Sequence, residues 1–104
     1  MFERFFNDPS FDFEVRTLVG GIHYGAGDIG EMLSVVSNIT DGDATSWVDE
    51  WRTLAERLQE IGDSANGAGH RVSARRAYLR AAVYYAAANV FVDGTNDADN
   101  LLVS

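Results

Sequence analysis

Hydrophobic residues recur at helical spacing in four stretches of this chain. In the first, Phe11, Val15, Leu18, Val19 and Ile22 fall on one helical face. Asp8 stands at its N-cap and Pro9 at the first helical position, where the missing N–H is harmless. The same stretch also alternates as Phe11, Phe13, Val15, Thr17, which is a strand pattern. The cap and the Gly20-Gly21 stop favour a helix over about 9–22. In the second stretch, over about 28–39, Ile29, Met32, Leu33, Val36 and Ile39 form an apolar stripe. Asp28 and Glu31 open it with capping-box spacing, each side chain able to satisfy the other's free backbone N–H. Asn38-Ile39-Thr40-Asp41-Gly42-Asp43 closes it as a turn.

The third helix, over about 46–61, buries Trp47, Trp51, Leu54, Leu58 and Ile61 behind a Ser46/Asp49 cap. Gly62 is placed to stop it in the left-handed conformation that glycine adopts cheaply. The fourth runs from about 70 to 91. Its first half is Arg-rich, with Arg71, Arg75, Arg76 and Arg80 on a solvated face. From Ala77 onward it is apolar nearly all round, and such a helix is normally surrounded by protein. Three short helices do not easily surround it. Residues 92–104 read as a tail or linker. It carries an Asp cluster over Asp93–Asp99 and ends in Leu101-Leu102-Val103-Ser104, an apolar start without a finish. The fold expected is all-α: a small bundle of about four helices in one domain or fragment spanning 1–104. Either the chain is a piece of a larger protein, or it pairs with itself through the Ala77–Phe91 helix. The simpler alternative is a bundle with a frayed tail.

Charge narrows the partners. The 104 residues carry a net charge of −8, with eight Arg and no Lys. Such a surface repels phosphate backbones and anionic lipid, so neither nucleic acid nor a membrane is expected as a partner. Cysteine is absent, which removes disulfides and thiolate metal ligands. Met1-Phe2-Glu3-Arg4-Phe5-Phe6 lacks the apolar run of a signal peptide. No run approaches the roughly 18 apolar residues of a membrane span. A cytoplasmic location is the default expectation.

Little in the chain carries chemistry of its own. Gly62-Asp63-Ser64-Ala65-Asn66 ends in Asn and follows a helix, so it is not the nucleophile elbow Gly-x-Ser-x-Gly. Asp41, Asp43 and Asp49 imitate the start of a calcium loop. That register, however, puts Ser46 in place of the turn glycine and Arg52 in place of the bidentate Glu. His23 and His70 lack partners at metal-ligand spacing. The glycines around Gly25 lack the Lys and preceding strand of a phosphate loop. Tyr78, Tyr84, Tyr85 and Phe91 read as packing. Trp51 and Leu54 sit as in a tetratricopeptide unit, yet no second copy of the pattern follows. No catalytic residue, metal site or cofactor is expected.

Three runs of residues nevertheless carry a resemblance. They are Tyr24-Gly25-Ala26-Gly27-Asp28-Ile29-Gly30-Glu31-Met32-Leu33, then Asp43-Ala44-Thr45-Ser46-Trp47 with Glu50-Trp51, then Ala77-Tyr78-Leu79-Arg80-Ala81-Ala82-Val83-Tyr84-Tyr85. In this order they resemble the N-terminal helical, or cap, region of a group of α/β-hydrolases. The group includes 2,6-dihydroxypseudooxynicotine hydrolase, fungal polyketide-shortening hydrolases and fermentation–respiration-switch-like proteins. The likeness runs from about Phe11 to Phe91. It implies a parent that hydrolyses an ester or a carbon–carbon bond next to a carbonyl, with Ser, acid and His all downstream of Ser104. The helical segment would then act as a lid over a small aromatic or polyketide-like substrate, packed on the downstream hydrolase domain. His23 and Tyr24, in the glycine-flanked connector before the second helix, are the candidate substrate-binding residues. The alternative is a non-enzymatic helical interaction module, tetratricopeptide-like or self-associating as a dimer.

Overall fold

The computed structural model describes residues 4–21 and 27–92. They form four α-helices: α1 (Pro9–Gly20), α2 (Ile29–Asn38), α3 (Ala44–Gly67) and α4 (Arg71–Asn89). Among the described residues there is no strand, so the alternation from Phe11 to Thr17 is incidental. As a helix it buries Phe11 and Val15 and leaves Phe13 in solvent. Asp8 caps α1 by accepting from the N–H groups of Ser10 and Phe11, with Pro9 entering the first turn. The carboxylate of Asp41 accepts from Asn7 and Asp8 N–H at 2.7 and 3.0 Å. It thereby ties the chain ahead of α1 to the α2–α3 turn.

The dominant packing is α3 against α4, an antiparallel pair. Ala74, Ala77, Ala81, Tyr84 and Ala88 repeat at alternate three- and four-residue steps and form the buried seam of α4. The small residues let α3 approach closely, so Trp47, Trp51, Leu54 and Leu58 reach into the core. Aromatic rings continue through it: Phe11 lies 4.8 Å from Trp47, Trp47 5.6 Å from Trp51, and Trp51 5.7 Å from Tyr84, centroid to centroid. The Trp47 indole N–H donates to the Ala87 carbonyl at 2.8 Å, satisfying an acceptor near the end of α4.

Two details of α3 differ from the sequence reading. Its N-cap is Asp43, whose carboxylate accepts from Thr45 N–H; the Ser46 hydroxyl instead bridges to Thr40 and to the Asp43 carbonyl. The helix also runs past Gly62 to Gly67. Gly62 holds ordinary helical backbone and is small because the Tyr78 ring lies on it, the phenol donating to Asp63 at 2.7 Å. The stop is Gly69, at φ +81, where His70 N–H donates to Ala65 O and Gly69 N–H to Asn66 O. That paired closure with a left-handed glycine is a Schellman motif. Ile29 and Leu33 of the α2 stripe, and Ile61 of the face expected to be buried on α3, are exposed.

The two glycines of α3 make opposite predictions. A Cβ at Gly62 would lie 2.5 Å from the Tyr78 ring, whereas one at Gly67 would meet nothing within 4 Å. Gly62→Ala should lower stability by about 1–3 kcal/mol, the scale of overpacking. Gly67→Ala should be neutral or raise it by up to about 1 kcal/mol. Thermal or urea melts of the two variants check both signs.

Candidate functional site

The chemistry-bearing corner lies where α2 begins. Asp28 caps α2 by accepting from Glu31 N–H at 2.9 Å. The reciprocal half of the capping box does not form. Instead the Asp28 N–H donates to the Tyr84 hydroxyl at 3.1 Å, and that hydroxyl donates to Glu31 Oε1 at 2.8 Å. Arg80, one turn before Tyr84, places its Nε 3.2 Å from the same carboxylate oxygen. A fully buried tyrosine of α4 therefore completes the cap of a helix 56 positions earlier in the chain. Burial, and then the hydrogen bond to the Glu31 carboxylate, hold the Tyr84 phenol well above its usual range. It stays protonated and able to donate at any physiological pH.

Gly27 immediately precedes this cap, where an added Cβ would displace the end of the Met32 side chain and lie 3.4 Å from the Tyr84 hydroxyl. The connector 22–26 joins α1 to this capped end. His23 and Tyr24 belong to that connector and lie outside the described residues. Beside its two ends, α1 and α2 enclose an apolar groove of about 510 Å³ lined by Phe5, Arg16, Val19, Gly20, Ile29 and Leu33. This volume is in the range of small-molecule sites. The Asp12 carboxylate shapes its rim, bonding Arg16 Nε at 2.8 Å and the N–H groups of Phe5 and Phe6. The Arg16 bond and those amides hold the Asp12 carboxyl below the ordinary aspartate value.

Elsewhere the sequence candidates reduce to structure. Among the described residues, no group of His, Cys, Asp or Glu is arranged to hold a metal ion. Asp41 and Asp43 serve caps and turns, and Ser64 lies within α3. His70 precedes α4 without a side-chain cap bond. No described helix is long and apolar enough to cross a membrane. By sequence alone Tyr84 is a packing residue and Arg80 part of a solvated face. Only their pairing with Asp28 and Glu31, across the molecule, gives them a further role.

Three relatives define the comparison. The chain is 48% identical over 75 residues to the alpha/beta hydrolase pydG of an Acremonium species, covering 72% of this chain and 18% of that protein. It is 42% identical over 84 residues to the hydrolyase poxO of Penicillium oxalicum, 81% of this chain and 20% of that one. It is 33% identical over 99 residues to the 20-hydroxy-prefusarin hydrolase FUS2 of Gibberella moniliformis, 95% of this chain and 24% of that one. The chain therefore spans about a fifth of the length of the curated relatives it matches. No family model and no solved structure matches it.

The corner makes its own prediction about alkali. The folded-state phenol of Tyr84 titrates above the unfolded value near 10, so its contribution is complete below that pH and is lost as pH rises beyond it. Tyr84→Phe keeps the ring but removes both hydrogen bonds, and should cost about 1–3 kcal/mol at neutral pH. In urea melts the gap between the two proteins should narrow above pH 10. A gap of constant size would place the hydroxyl outside the folded network.

Proposed function

The chain belongs to the α/β-hydrolase family of these fungal proteins, and on that premise we propose that it is a helical cap segment of a serine hydrolase cleaving an ester or a carbon–carbon bond next to a carbonyl. In this reading the Ser nucleophile, its His base and the oxyanion donors come from the rest of the protein. The helices close over the reacting centre, exclude water and shape the space for the acyl or ketone group. One observation carries the reading: α1 and α2 line an apolar groove of about 510 Å³ that reaches Gly20 and Ile29, close in sequence to the two ends of the connector that contains His23 and Tyr24. A small aromatic or polyketide-like substrate suits that groove, with the Tyr24 hydroxyl and the His23 imidazole orienting its polar groups.

Two measurements test it. The 104-residue chain by itself should not turn over an activated aryl ester; turnover abolished by Ser64→Ala would contradict the assignment. In the parent hydrolase, Tyr24→Phe and His23→Ala should each lower kcat/KM by about 1–2 kcal/mol, the scale of one hydrogen bond, with Tm unchanged. Unchanged kinetics in both variants would reduce the connector to a hinge.

A further inference from the structure

Residues 5–8 lie outside any helix, and two carboxylates take all four of their backbone N–H groups. Asp12 Oδ1 accepts from Phe5 at 2.7 Å and from Phe6 at 3.3 Å. Asp41 accepts from Asn7 at 2.7 Å and from Asp8 at 3.0 Å. Among the described residues, none of the four N–H groups donates to a backbone carbonyl. The acceptors stand on different elements, Asp12 in the first turn of α1 and Asp41 in the turn between α2 and α3. A charged acceptor makes a stronger hydrogen bond than a neutral one, so two side chains fix this segment where backbone pairing does not.

Its side chains divide between two places. Phe6 is buried in the aromatic core, edge-on to Phe11 at 5.4 Å and 6.1 Å from Trp47. Phe5 is half-buried and forms one wall of the α1–α2 groove, with the Arg16 guanidinium 5.9 Å from its ring centre. Asp12 sets this wall: one of its oxygens takes the Phe5 amide, and the other takes Arg16 Nε at 2.8 Å. Phe5 and Arg16 both line the groove.

We infer that residues 5–8 are a releasable strap, latched by Asp12 and Asp41, whose opening as a unit withdraws Phe5 from the groove while the α3–α4 pair stays folded. Opening returns four N–H groups and two carboxylates to water, and the Asn7 and Asp8 bonds are already exposed. It uncovers one buried phenylalanine, whereas unfolding the chain exposes Trp47, Trp51 and the alanine seam as well. A segment with few buried side chains and solvated hydrogen bonds opens below the global free energy. The two latches act together because the Asp12 latch holds the amide of Phe6, the residue that anchors the strap in the core. That the strap governs entry of a substrate rests on the cap reading above; that it opens does not.

Hydrogen exchange and thiol labelling test the strap in the cysteine-free chain. In low urea, the wild-type amides of Phe5, Phe6 and Asn7 should exchange through one common opening, well before those of Leu54 and Ala55. Asp12→Ala should speed all three by about tenfold, the worth of one hydrogen bond, although the Asp41 partner of Asn7 is intact. Val19→Cys, inside the groove, should react with a thiol reagent several-fold faster when Asp12→Ala is added, and Leu54→Cys should not. Strap amides that exchange only with the α3 core would overturn the proposal, and this wild-type result needs no variant to fold. So would Asn7 staying protected in Asp12→Ala, or Val19→Cys labelling that does not change. None of these readouts involves a substrate, so failure of the cap reading would leave them standing.

Discussion

The side of the molecule that carries α2 depends on one phenol. Tyr84 lies in the core against Trp51, and only its hydroxyl reaches the α2 cap, where it accepts from Asp28 N–H and donates to Glu31. The ring is positioned by the tight α3–α4 pair, so the cap of α2 inherits the rigidity of that pair. An isolated helix of this length would be marginal in water. Here its first turn is held by a group that cannot move without opening the core. Removing water from the phenol would be costly for an unpaired hydroxyl, and the two hydrogen bonds offset that cost.

The same close packing determines what is left over. Because alanines fill the inner seam of α4, the larger apolar residues Val72, Leu79, Val83 and Val90 occur on its outer one. α3 covers the inner line, while Val72, Leu79 and Val90 of the outer one are exposed.

Local signals were legible in the sequence where the physics is local. Asp8-Pro9 and Asp28 cap the helices they precede, and Trp47, Trp51, Leu54 and Leu58 are buried as their spacing demands. Choices between equivalent local signals were not legible. Gly62 and Gly69 both suit a helix end, and Tyr78, on the next helix, decides that Gly62 is a packing position. Asp43 and Ser46 are both good caps, and the turn geometry selects Asp43. Periodicity revealed that Ile29 and Leu33 lie on the α2 stripe and Ile61 on that of α3, but not that their side chains are exposed. At the candidate site, the interrupted capping box depends on a residue 56 positions away, beyond the reach of any local pattern. The likeness to hydrolases rested on spaced residues, and relatives at 33–48% identity bear it out.

Exchange of the Asp28 amide measures the central claim directly, because that N–H has the buried Tyr84 oxygen as its partner while its residue faces solvent. By NMR-detected hydrogen exchange it should be protected to the level of the α2 amides. Tyr84→Phe should release it while amides around Leu54 and Ala55 in α3 keep their protection. Free exchange of Asp28 in the wild-type chain, or protection that persists in Tyr84→Phe, would contradict the view that this phenol anchors α2.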